Sequence, residues 1–136
     1  MKNIKNDKIE NNLKENKVAL SFREFENKKV LFRFFNTKRE KSISYSIYEK
    51  SKFSKNIQEA FNSNYRKVDI EYDTTKNNRF KKVNLLVDIN SYLDKSKINL
   101  YKDLINSNKE FIKSNKVDLE LIENIKFFED RINSLK

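Results

Sequence analysis

The sequence predicts an α+β domain: an antiparallel sheet, made of a three-stranded meander and a second hairpin, packed with one short helix and a C-terminal helical hairpin. Three observations lead there. Apolar residues alternate with period two in several runs between Lys17 and Asn90; they recur with helical period after Ser91; and short polar segments separate the runs.

Residues 1–16 are Asn- and Lys-rich with scattered Ile4, Ile9 and Leu13, and read as a polar N-terminal arm. From Lys17 the period is two. Val18, Leu20 and Phe22 alternate with Ala19, Ser21 and Arg23, then Val30, Phe32 and Phe34 with Leu31, Arg33 and Phe35, and a third run covers Ser42 to Ile47. Facing apolar sets fix a register, because a slip of one residue flips a strand. Phe22 then opposes Phe32 and Leu20 opposes Phe34 across a turn at 26–28. Phe34 opposes Ile43 and Phe32 opposes Tyr45 across the loop Thr37-Lys38-Arg39-Glu40. With no glycine in the chain, the turns place left-handed backbone on Asn27 and on Asn77-Asn78.

Phe53, Ile57, Ala60 and Phe61 lie at helical spacing and predict a short helix over 52–63. Val68, Ile70 and Tyr72, then Val83, Leu85, Val87 and Ile89, predict the second hairpin, with Ile70 opposite Val83, Val68 opposite Leu85 and Glu71 meeting Lys82. Ser91-Tyr92-Leu93-Asp94 resembles a capping box and opens a helical stripe of Leu93, Leu100, Tyr101, Leu104, Ile105, Phe111 and Ile112. Asn115 to Asp118 restarts a helix carrying Leu121, Ile125, Phe128, Ile132 and Leu135 at spacings of three and four. That last stripe has two readings, a face docked on the sheet or a coiled-coil homodimer. The whole of 17–136 reads as one domain, with a basic sheet region at 17–90 and a helical hairpin at 91–136.

Composition excludes chemistry more sharply than it suggests any. The 136 residues include no Gly, Pro, Cys, His or Trp. Without glycine there is neither a Walker loop nor a dinucleotide fingerprint, since both bring backbone against phosphate where a Cβ would clash. Without histidine or cysteine, zinc sites, thiol catalysis and the commonest general base drop out. Twelve serines have no histidine to activate them. Asp69, Glu71 and Asp73 on one strand face could hold Mg²⁺, although a solvated face with Glu71 paired to Lys82 accounts for them as well. The expectation is a protein that is not an enzyme and needs no cofactor or metal. No cysteine, no signal-peptide run and no stretch of apolar residues long enough to span a bilayer give the expectation of a soluble, cytoplasmic protein without membrane contact.

The net charge is +10, and 24 Lys and 20 Asn reflect AT-rich codons as much as function. Codon bias acts evenly along a chain, whereas +8 of the charge lies between residues 17 and 90. The outward face of the meander carries rings among cations. Candidate contacts are Arg23, Phe25, Lys29, Arg33, Phe35, Lys38, Arg39, Lys41 and Tyr48. Rings that stack on bases beside cations that follow phosphate are the means by which single strands and RNA are held. A competing reading buries that second face, with Leu31 and Phe35 in a core. The functional expectation is therefore a basic binding module for nucleic acid or a nucleoprotein. An alternative is a small phage or mobile-element inhibitor of a host defence nuclease, of the anti-CRISPR kind, which binds a large host protein. A second alternative is a structural protein that oligomerises through the 117–135 stripe.

Overall fold

The computed structural model describes residues 27–75, 80–88, 93–115 and 118–135. It combines helices with a two-stranded antiparallel sheet. In chain order come β1 (Val30–Phe32), α1 (Ile43–Ser51), α2 (Ile57–Asn62), α3 (Lys67–Asp73), β2 (Leu85–Val87), a 3₁₀ turn (Lys95–Lys97), α4 (Ile98–Ser114) and α5 (Leu119–Asn133).

Both strands come from unbroken apolar triplets, Val-Leu-Phe and Leu-Leu-Val, and every residue of both is buried. Val30 pairs with Val87, Leu31 with Leu86 and Phe32 with Leu85. The ladder runs on through Arg33 N to Asn84 O at 2.8 Å and Asp88 N to Lys29 O at 2.9 Å. On its other edge β1 is closed by side-chain amides. Asn108 donates to the Phe32 carbonyl at 2.7 Å and accepts from Phe34 N at 3.1 Å, and Asn124 donates to the Val30 carbonyl. Both asparagines are buried in the helical hairpin, where an unpaired amide would be costly, so each is fixed by the strand it satisfies.

The three-stranded meander is not formed among these residues. Its first strand, with Arg23 and Phe25, lies outside the described residues, and its third, 42–47, is the start of α1. Ser42 accepts from Tyr45 N at 3.0 Å and caps the helix. The alternation of Ile43, Tyr45 and Ile47 does not follow burial, for Ile43 is exposed while Tyr48 and Ser51 face the core at helical spacing. The second hairpin is overturned in the same way. Residues 67–73 are α3, burying Ile70 and Asp73 one turn apart and leaving Val68 and Tyr72 exposed. Val83 and Leu85 therefore have no strand at 68–70 to face, and β2 pairs with β1 instead. Lys82 lies 3.8 Å from Asp103, where the sequence had placed it against Glu71.

The helix expected over 52–63 begins only at Ile57, where Asn56 accepts from Glu59 N at 2.9 Å, and Phe53 stays exposed. Its C-terminus is a Schellman closure, with Asn64 N to Phe61 O at 2.9 Å and Tyr65 N to Ala60 O at 3.0 Å. Asn64, at φ 71°, takes the left-handed position that glycine fills elsewhere, and Lys81 takes another at φ 54°. Asn77-Asn78 and the start of the turn expected at 26–28 lie outside the described residues.

The C-terminal hairpin forms as read. Asp118 accepts from Leu121 N at 2.9 Å and opens α5; Asp94 caps the 3₁₀ turn before α4, while Ser91 and Tyr92 are outside the described residues. Ile125, Phe128 and Ile132 are buried in one cluster with Tyr101, Leu104 and the strands, and Leu121 and Leu135 pack against it. The stripe thus packs within the chain, as its docked reading had it. Among the described residues no helix is long and apolar enough to cross a membrane.

Candidate anion-binding cleft

The expected platform of rings and guanidinium groups is not assembled. Arg33 is 1% exposed. Its guanidinium donates to Val83 O at 2.8 Å and Asn84 Oδ1 at 3.3 Å and meets Asp103 at 2.8 Å. Burial is tolerated because these partners replace the water it loses. Tyr48 is equally buried, its hydroxyl donating to the Arg33 carbonyl and lying 3.1 Å from that of Asn84. Both residues are scaffold. Leu31 is core, as the covered-face reading had it, but Phe35 is 65% exposed and belongs to neither picture. Lys29 holds its ammonium 5.2 Å from the Phe127 ring on another side of β1.

Lys38 and Arg39 do share a cleft, and Lys41 follows them on the same loop. The loop that carries them runs from β1 to α1 and is held at both ends. Asn36 accepts from Lys38 N at 2.9 Å, Asn84 donates to Thr37 Oγ1 at 2.8 Å, and Ser42 Oγ donates to the Arg39 carbonyl at 2.7 Å. Opposite stands α3. Between them opens a cleft of about 580 Å³ lined by Thr37, Lys38, Arg39, Ser42, Ser44, Arg66, Val68, Asp69 and Tyr72. Its floor includes the start of α1, whose first turn holds no acidic residue. Ser42 satisfies one leading amide of that helix, and by helix geometry those of Ile43 and Ser44 have no acceptor within it.

The cations of this cleft differ in how they are engaged. Arg66 is clamped by Asp69 through two contacts of 2.8 Å, Asp69 also accepts from Arg66 N at 2.9 Å as half of a capping box at the start of α3, and Asp69 holds the guanidinium above its usual range. Lys38 reaches down to Asp73, which is 0% exposed, while Tyr65 OH donates to the other carboxylate oxygen at 2.6 Å. Burial pushes the Asp73 carboxyl up, and Lys38 and Tyr65 pull it part of the way back. Burial likewise drives the Tyr48 and Tyr65 phenols well above their ordinary value, with the Asp73 charge adding to it. Arg39 and Lys41 are exposed and make no ion pair among the described residues. Asp69 and Asp73 are therefore both engaged, Glu71 lies on another side of the helix, and the Mg²⁺ reading of that trio loses its geometry. No group of three or more potential metal ligands occurs among the described residues.

A second cavity, about 300 Å³, lies against the amide-closed edge of β1. Leu31, Phe32, Phe34, Phe53, Phe111 and Leu121 line it, with Lys52 and Lys55 at its rim. Phe34 stacks at 5.4 Å on Phe53 and 5.0 Å on Phe111.

Sequence reasoning named Lys38 and Arg39 as contacts but not the other polar and aromatic residues that line the cleft with them. Ser42, Ser44, Arg66 and Tyr72 join them only because 43–51 and 67–73 are helices. The available signals were a serine cap with no acid behind it and the Arg66-x-x-Asp69 spacing. Comparison with protein-family models, with curated proteins and with solved structures finds no match to this chain.

Proposed function

We propose that this protein is a non-enzymatic binding module for nucleic acid, single strands or RNA in preference to duplex, which seats the phosphate backbone in the cleft between the 37–42 loop and α3. One observation carries the reading. Arg39, with no acidic partner among the described residues, stands beside a helix start that lacks acids, three hydroxyl side chains and the 46% exposed ring of Tyr72. The Ser44 hydroxyl and the leading amides donate to phosphate oxygens, Arg39 supplies charge, and Tyr72 offers a face for one base.

A cleft of this size takes one or two nucleotide units, so affinity comes mostly from the backbone and falls steeply with salt. Titration of labelled single-stranded RNA, single-stranded DNA and duplex at rising salt tests the proposal. Binding to the single strands at low salt, weakened along a linear log–log slope, is expected. Undetectable binding of all three at low salt overturns it.

A further inference from the structure

The buried carboxylate beneath the cleft has no part in holding phosphate, and its placement suggests a regulatory part. We propose that Asp73 is a proton-operated latch on Lys38: charged, it pins the lysine into the wall and cancels its field; protonated, it releases the ammonium to the anion in the cleft. The inference rests on the nucleic-acid reading of this site.

Geometry carries it. Lys38 stands on one wall and Asp73 at the end of the helix forming the other, so the contact between them ties the two walls together. The ammonium lies 4.6 Å from the Tyr72 ring and 5.8 Å from the Tyr48 ring, and Tyr72 lines the cleft, so a cation freed from Asp73 keeps a favourable ring face on the cleft side. From each side the carboxyl is faced by few groups: Lys38 from the loop, Tyr65 from the segment before α3, Tyr48 from α1 and Asp69 from its own helix. The Tyr65 hydrogen bond favours the charged form and so sets where the latch opens. Linkage makes the effect reciprocal: an anion in the cleft draws a proton onto Asp73.

The chain contains no histidine, so from neutrality down into the carboxylate range no imidazole titrates alongside Asp73. Binding of a single-stranded oligonucleotide is measured across that range for the wild type, Lys38→Met and Tyr65→Phe, each shown folded by circular dichroism. Wild-type affinity is expected to rise severalfold as pH falls, with a salt slope steeper by about 0.7, one added phosphate contact. Lys38→Met should show no rise, and Tyr65→Phe should show it at higher pH. Wild-type binding that is present but flat with pH overturns the latch alone, as does a rise that survives in Lys38→Met. Binding absent at every pH overturns the nucleic-acid reading and the latch with it.

Discussion

At the aromatic pocket, Lys52 donates to the Phe34 carbonyl at 3.0 Å and meets Glu49 at 3.0 Å, and Lys55 meets Glu120. At the cleft, Arg39 meets no acid among the described residues, while Lys38 and Arg66 are tied to Asp73 and Asp69. Two concavities of one basic protein thus use lysine and arginine differently. Around the rings the cations complete the fold; around the hydroxyls Arg39 has no acidic partner among the described residues. Net charge alone does not distinguish the two, since a cation balanced by its neighbour attracts little from solution.

The comparison breaks first at the scaffold behind the cleft. Arg33→Met strips two acceptors, Val83 O and Asn84 Oδ1, of their donor and leaves them buried; a loss of about 3 kcal/mol is expected in urea unfolding. A loss under about 1 kcal/mol would show that water replaces the guanidinium. On the pocket side Asn108→Ala leaves Phe34 N and Phe32 O unpaired. About 2 kcal/mol is expected there, and less for Asn124→Ala, which frees one carbonyl.

Alkali tests both regions together. Burial pushes Tyr101 up to about 12 and Tyr48 and Tyr65 well above their usual value, so the folded chain keeps phenols neutral that an unfolded chain ionises near about 10. Their contribution is complete below about pH 10 and is lost as pH rises through the folded values. Tyrosinate absorbance is unobscured by tryptophan, and the share due to these three of the six tyrosines is expected to appear cooperatively with loss of helix; ionisation of all six in a chain that keeps its helices would contradict the burial.

How much of this was legible depended on whether a local pattern had one structural solution. Ile98–Ser114 and Leu119–Asn133 are long enough for helical period to be unambiguous, and the cap at Asp118 fixes where the second begins. Val30–Phe32 and Leu85–Val87 are short apolar runs consistent with buried strands, but their pairing with each other spans more than 50 residues and leaves no local trace. The runs 42–47 and 68–73 mislead because alternation over six residues also places i and i+4 together, and Ser42 and the Arg66–Asp69 box then decide for helix. Arg33 read as exposed because its principal partners, Val83, Asn84 and Asp103, are remote in sequence. The cleft was legible as charge and not as shape, since one of its walls is the helix α3 that alternation had made a strand.

The smallest structural change with the most direct bearing on the central claim is a pair of charge reversals on exposed side chains, Arg39→Glu in the cleft and Lys55→Glu at the pocket. Each alters the net charge by the same amount, and neither residue is buried. Binding of a single-stranded oligonucleotide to the two variants and the wild type, measured at several salt concentrations, compares the sites at constant total charge. Arg39→Glu should weaken binding at least tenfold and flatten the salt slope by about 0.7 or more, with Lys55→Glu close to the wild type. Equal weakening by both variants would mean that the protein attracts nucleic acid by its overall charge and that the cleft is not the site.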